Sequence, residues 1–441
     1  MIQIIGLLIA MSVLVYLAFK NWGMIPASLV ASILIILTNR MDFWEAFSVN
    51  YATALKNFVG TYLLMFFLGA TFGNIMGESG AAKSISLKLM KLLGKERAIL
   101  IIVLSAAILS YGGISLFVCV FAIYPIGVIL FKEANISKEL FPACMLFGCA
   151  TFTMVATPGT PAISNIIPTN YFGTNAYAAP VLGIIATILM FIMGYYYLIW
   201  TNKRLQAKGI GFTPGPNDDE KTLSMSDTDD LPDWKISIFP LALVIVMIFV
   251  LKNLTSMYAV VIALACGVLV ALLLFWKHLE NPLKVVNQSA TSSIISILNT
   301  AAIVGFGGVV QSSAGFTSIV DFALNLKMGP LVSAAIAVNI VAGITASSSG
   351  GLTVFMDALG AQYLKLAQIS GISPAVLHRV CSIASSGLDS LPHSGATVTC
   401  IISSGLTHKQ AYKYIFVTNC VVPIIALIIV VALASFGIVT N

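Results

Sequence analysis

The feature that most constrains this chain is a set of apolar stretches that are too long for one membrane crossing and are interrupted by glycine, serine or proline. They occupy residues 98–131, 140–170, 330–366 and 374–405. A single helical crossing takes about 20 residues. Inside a bilayer every backbone N–H and C=O must be bonded within the protein, so an interrupted run becomes a hairpin or a broken helix whose freed groups line a cavity. Further apolar runs lie at 2–19, 23–38, 59–77, 176–200, 236–251, 257–276, 290–312 and 411–439. Hydrophobic residues make up 59% of the 441, and charged residues only 9%. An ordinary soluble domain carries about 25% charged residues, so that class is excluded. The fold class expected is an all-α polytopic membrane protein. The net charge of +6 bears on orientation in the bilayer, and no basic run with interleaved aromatics offers a nucleic-acid groove. The cysteines, Cys119, Cys144, Cys149, Cys266, Cys381, Cys400 and Cys420, form no CxxC and no Cys/His cluster. They read as small buried hydrophobes, and neither a disulfide frame, a metal site nor a cofactor is expected. The first run lacks a basic flank and an A-x-A site, so it reads as a retained span.

One long hydrophilic stretch, 201–235, contains Pro214-Gly-Pro216 and Asp218-Asp-Glu220. It reads as a flexible cytoplasmic linker between an N-terminal transmembrane repeat, 1–200, and a C-terminal one, 236–441. Landmarks recur in order across the two halves, at an offset of about 235 residues. Gly73 to Gly80 pairs with Gly308 to Gly315, Gly94 with Gly329, Gly112-Gly-Ile-Ser115 with Gly350-Gly-Leu-Thr353, and Thr157-Pro-Gly-Thr160 with Leu391-Pro-His-Ser394. Paired loops carry opposite charge biases. The loop Lys83 to Arg97 is basic, while its partner holds Asp321 and Lys327. The turn near Lys409 and Lys413 is basic, while Phe172-Gly-Thr-Asn175 is uncharged. Positive loops face the cytoplasm, so the repeats are expected to be inverted, with the linker inside and both termini outside.

Ionisable groups are scarce in the apolar runs. Asp357 and Asp389 are the acidic exceptions, with Glu78 at a span's edge and His393 four residues beyond Asp389. A charge in the membrane core is costly and defaults to a functional role. A carboxylate or imidazole removed from water can hold and release a proton near neutral pH, so Asp389, His393 and Asp357 are the proton-coupling candidates. Their bland reading is a helix cap or a helix–helix contact. His378 and Arg379 read either as partners of this group or as a pair at a loop end. Small polar clusters supply the substrate-binding candidates: Gly112, Gly113 and Ser115; Thr157, Gly159 and Thr160; Ser347, Ser348, Ser349, Gly350, Gly351 and Thr353; His393, Ser394 and Gly395. Glycine allows close backbone approach, hydroxyls donate, and helix N-termini present unpaired N–H groups, which together accommodate an anion without a strong buried cation. Their bland reading is kinks and close helix contacts. Gly77-Glu-Ser-Gly80 and Gly387-Leu-Asp389 faintly suggest intramembrane proteases. Each lacks a second catalytic partner, so no catalytic residue is expected and an intramembrane hydrolase stays a remote alternative.

Ser373-Pro-Ala-Val-Leu-His-Arg379, Ser385-Ser-Gly-Leu-Asp-Ser-Leu-Pro-His-Ser-Gly-Ala396 and Gly405-Leu-Thr-His-Lys409 resemble the gluconate permease family of the ion-transporter superfamily, and most closely its 3-hydroxybutyrate permease branch. The chain differs from the sugar-acid members across Leu388 to Ser394, which favours a smaller monocarboxylate. The resemblance implies inverted repeats with re-entrant hairpins, a homodimer, an elevator-like movement and a bacterial inner-membrane location. The activity expected is proton-coupled import of a small hydroxycarboxylate such as 3-hydroxybutyrate. The alternatives are a gluconate or sugar-acid permease and a sodium-coupled carboxylate carrier.

Overall fold

The computed structural model describes residues 2–20, 22–111, 116–160, 162–216, 218, 231–251, 256–324 and 328–437, and every regular element among them is helical. The first half contains α1 (Ile2–Phe19) and α2 (Met24–Asn39). A turn at Phe43–Glu45 and a π-helical segment at Ala46–Tyr51 then lead into α3 (Ala52–Glu78). After it come α4 (Ala81–Leu93), α5 (Ala98–Tyr111), α6 (Leu116–Glu133), α7 (Phe141–Ala150), α8 (Ile163–Phe172) and α9 (Pro180–Ala207). The second half repeats this order with α10 (Trp234–Val250), α11 (Ser256–Phe275), α12 (Pro282–Gln311), α13 (Ala314–Leu324), α14 (Pro330–Thr345), α15 (Ser348–Ile369), α16 (Pro374–Ala384) and α17 (Gly395–Ser403). It ends in α18 (His408–Ile415), which continues through a π-helical segment, Phe416–Val421, into α19 (Val422–Ser435). Seven described helical segments are long and apolar enough to cross a membrane: Ile2–Phe19, Phe43–Glu78, Lys138–Ala156, Pro180–Ala207, Val261–His278, Pro282–Gln311 and His408–Ser435.

The contacts recur as the elements do. Helix α3 packs on α12, α2 on α12 as α11 on α3, α1 on α13 as α10 on α4, α5 on α7 as α14 on α16, and α8 on α15 as α17 on α6. Sequence chemistry sets the boundaries. Asn281 caps α12 by accepting from Lys284 N at 3.0 Å, with Pro282 in the first turn, where its missing N–H costs nothing. Thr407 and Gln410 form a capping box that starts α18.

The interrupted runs resolve into helix pairs. Residues 98–131 give α5 and α6, which pack together around a junction, 112–115, outside the described residues. Residues 140–170 give α7, continued by a π-helical segment at Phe152–Ala156, and α8, with the break at 157–162, of which Pro161 lies outside the described residues. Residues 330–366 give the α14–α15 hairpin, which turns at Ala346 and Ser347. Residues 374–405 give α16 and α17, broken at 385–394.

Two expectations are corrected. The basic loop Lys83 to Arg97 is mostly helix α4, as its counterpart around Asp321 is helix α13. Its lysines lie along an amphipathic helix, with Lys88 Nζ 5.0 Å from the Trp234 ring centroid. The linker is not free along its first part. Helix α9 runs on to Ala207, and Phe212 N then donates to Asn135 Oδ1 at 3.0 Å. Gly215 N donates to Asp218 Oδ2 at 2.6 Å, and that carboxylate is itself held by Lys138.

Candidate functional site

The two breaks and the α14–α15 tip come together. Ser348, in the first turn of α15, hydrogen-bonds Ser164 in the first turn of α8 at 2.7 Å and Ser385 at the end of α16 at 2.7 Å. Two helix N-termini from opposite halves therefore meet at one row of hydroxyls, an arrangement whose unpaired N–H groups and dipoles favour an anion. Ser347 caps α15 by accepting from Gly350 N at 3.1 Å. The preceding Ala346 sits at φ 49°, the left-handed region that an alanine adopts at a cost of about 1–2 kcal/mol, so the tip is a tightly specified turn.

The first-half break is thoroughly bonded. Asn165 Nδ2 donates to Thr160 O at 2.8 Å and to Ala176 O at 3.0 Å, and Gly159 N donates to Ala176 O at 2.9 Å. Gly159 needs its φ of 83°, and a Cβ there would meet the Tyr177 ring at 2.5 Å. Thr157 Oγ1 reaches Phe152 O at 2.9 Å and Thr187 Oγ1 at 3.1 Å.

Arg379, on α16 in the second half, holds this first-half break together. It is fully buried, yet no carboxylate stands among its described partners. Its Nε donates to Ala178 O at 3.0 Å. Its Nη1 donates to Asn165 Oδ1 at 2.9 Å and Val155 O at 3.3 Å, and its Nη2 to Ala178 O at 2.8 Å and Ala176 O at 3.3 Å. A guanidinium has five N–H groups, so all are used. His378 adds a bond to Thr174 Oγ1 at 2.6 Å. The pair is thus not at an exposed loop end, and the hydroxyl row lies near a strong buried cation that sequence reasoning did not require. Every residue from Val376 to Ala384 is buried, so the charge of Arg379 has no hydrated face to turn to.

The second-half break is looser. Asp389 is buried, and its Oδ1 accepts from Ser390 Oγ at 2.9 Å. His393 is 2% exposed, and both ring nitrogens lack a partner. The ring faces the backbone of Gly343 and Ile344 without closing a well-aligned hydrogen bond to either, and Phe306 meets it edge-on at 6.5 Å. The Asp389–His393 contact expected from their spacing is therefore not formed in this conformation, where Asp389 is bonded to the adjacent Ser390 and Pro392 keeps the intervening turn from being a regular helix. Ser394 and Gly395 open α17, and a Cβ on Gly395 would meet Thr300 Cγ2 at 3.1 Å. Gly351 acts in packing, since a Cβ there would lie 2.4 Å from the Ala342 backbone on the other arm of the hairpin. Ser349, Gly350 and Thr353 are half-buried on α15. Asp357 is exposed and is held by the Tyr171 hydroxyl, apart from Asp389 and His393. Gly112, Gly113 and Ser115 lie outside the described residues. Their neighbours do reach the first break, since Tyr111 OH donates to Pro158 O at 3.3 Å and Ser110 Oγ to Cys149 O at 2.7 Å.

Broken apolar helices whose polar interruptions converge inside a multi-pass helical protein define a membrane transporter. Residues 1–437 match the model of the GntP family permeases, and the chain belongs to that family. It is 35% identical to YxjC, an uncharacterized transporter of Bacillus subtilis (strain 168), over 94% of this chain and 95% of that one. It is 26% identical to the high-affinity gluconate transporter of Escherichia coli (strain K12), over 85% of this chain and 84% of that one. Among solved structures, the YdaH transporter of Alcanivorax borkumensis aligns over 99% of both chains at 11% identity, with a TM-score of 0.42. The chain is a multi-pass transporter and not an enzyme.

Proposed function

We propose that this protein is a proton-coupled importer of a small hydroxycarboxylate such as 3-hydroxybutyrate, working in a bacterial inner membrane with its linker in the cytoplasm and both termini outside. The observation that carries the anion reading is Arg379, a buried guanidinium without a carboxylate partner behind the hydroxyl row Ser164–Ser348–Ser385. Its N–H groups are committed to the first break, so it acts on the substrate through its field. Direct contacts come from the N-termini of α8, α15 and α17, with Thr160, Ser348, Ser349, Thr353 and Ser394 nearby. Asp389 and His393 carry the coupling proton. The recurring element order and reciprocal contacts support two repeats, which the opposite charge biases of their paired segments make inverted, with α5–α6 and α14–α15 as re-entrant hairpins. The same layout suits a homodimer with an elevator-like movement.

One observation favours sodium as the coupling ion. Asn339 Oδ1 is buried without a donor and lies 1.8 Å from where a Cβ on Gly387 would stand, so an acceptor oxygen faces the second break. Uptake into proteoliposomes under separately imposed pH and sodium gradients, across 3-hydroxybutyrate, other short hydroxy acids and gluconate, decides among these readings. The account expects a pH gradient alone to concentrate a short hydroxy acid, and accumulation driven only by sodium would overturn the proton assignment. Topology is checked by cysteine labelling. A cysteine near Lys91 should react only from the cytoplasm and one near Asp321 only from outside, and labelling of both from one side would remove the inverted repeat.

A further inference from the structure

The helices on either side of the site are joined by two similar clasps. On one side, Asp357 of α15 and Tyr171 at the end of α8 join the hairpin arm to the short helix that follows the first break. On the other side, the equivalent helices are α6 and α17, and here Tyr124 of α6 is on the hairpin arm. Its hydroxyl reaches Ser404 O at the end of α17 at 3.4 Å, and it also donates to a carboxylate. That carboxylate belongs to neither helix. It is Asp218 of the linker.

Asp218 is held from several directions. Lys138 Nζ, at the start of the segment leading into α7, donates to Oδ1 and Oδ2 at 2.7 Å each, and Gly215 N donates to Oδ2 at 2.6 Å. The side chains of Lys138 and Asp218 are 2% and 1% exposed. The linker turn is pressed close, since a Cβ on Gly215 would lie 2.7 Å from Lys138 Nζ and 3.1 Å from Gly405 O. Lys138 stands just before α7, Ser404 just after α17 and Tyr124 midway along α6, so the linker carboxylate ties together three helices that must shift against one another to open the site on that side. A buried ion pair adds little net stability over apolar packing, whereas losing one partner is costly, so such a pair specifies one geometry more than it stabilises the fold.

We propose that Asp218 is a latch. The linker lends the α6–α17 clasp the carboxylate that the α8–α15 clasp carries within its own helix, and release of Asp218 from Lys138 and Tyr124 opens the site on the linker's side. Because it belongs to a separate segment, this clasp can part without distorting a helix, so exit on that side is controlled by a part of the chain outside the site. The inference rests on the transport reading given above.

The test uses the full chain in proteoliposomes, as Lys138→Cys/Asp218→Cys bridged by a short bis-methanethiosulfonate reagent and released by reduction. The native cysteines are buried or half-buried, and wild type treated with the same reagent gives the blank. Bridging should lower hydroxy-acid uptake at least tenfold, and reduction should restore it. Equal uptake by bridged and reduced protein would overturn the latch, whereas absence of uptake in untreated wild type would overturn the transport reading instead. A second measurement does not depend on the bridge: Asp218→Asn should make Ala396→Cys react severalfold faster with an impermeant maleimide applied from the linker's side. An unchanged rate would overturn the latch.

Discussion

The two breaks occupy corresponding places in the two halves but are built differently. Around the first, from Thr157 to Ala162, the flanking carbonyls of Val155, Ala176 and Ala178 and the amide oxygen of Asn165 are held by one arginine from the other half. In the second, from Ser385 to Ser394, His393 has two unpartnered nitrogens and the neighbouring Asn339 an unpartnered oxygen, all buried. A buried polar group without a partner costs about 1–3 kcal/mol, and native proteins keep few of them. We propose from this difference that the first break is a fixed wall and the second the part that changes partners during transport.

The largest effect should come from dismantling the wall. Arg379→Gln leaves several buried carbonyls without donors, each unsatisfied group costing about 1–3 kcal/mol. The variant should melt at much lower temperature in detergent and lose uptake. Arg379→Lys keeps the charge but lacks the planar fork, so it should fold better and still bind substrate poorly. Full activity in Arg379→Gln would show that the first break does not depend on this residue.

The sequence made the broken helices legible and left their wiring hidden. Glycine, serine and proline inside long apolar runs mark 157–162, 346–347 and 385–394, because those residues punctuate helices by known local mechanisms. Helix α4 is hard to see in the sequence because Lys83, Lys88 and Lys91 give it the charge of a loop, although their spacing is helical. The starts of α3 and α12 are masked because Lys56, Asn57, Lys284, Asn287 and Gln288 lower local hydropathy, although the helices continue through them. The role of Arg379 depends on carbonyls some 200 residues away in the chain, and no local pattern encodes that. The spacing of Asp389 and His393 suggested a contact, but the turn that contains Pro392 separates them.

A smaller effect distinguishes the hydroxyl row from the wall. Ser348→Ala removes one hydrogen-bonding group where the two halves meet and should weaken substrate binding by about 1–2 kcal/mol, roughly tenfold in KM, with little change in melting temperature. Thr160→Ala should have an effect of similar size or less, because Thr160 is fully buried behind Asn165. If Ser348→Ala melts early while keeping its KM, the row belongs to the wall and the substrate binds elsewhere.

The claim that the second break is the coupling centre is tested most directly by Asp389→Asn in proteoliposomes. The side chain keeps its shape and its contact with Ser390 but can no longer bind and release a proton. The account predicts that the variant fails to concentrate substrate under an imposed pH gradient while still exchanging labelled for unlabelled substrate, since exchange needs no net proton release. Uphill accumulation by Asp389→Asn with a proton gradient as the only driving force would contradict it.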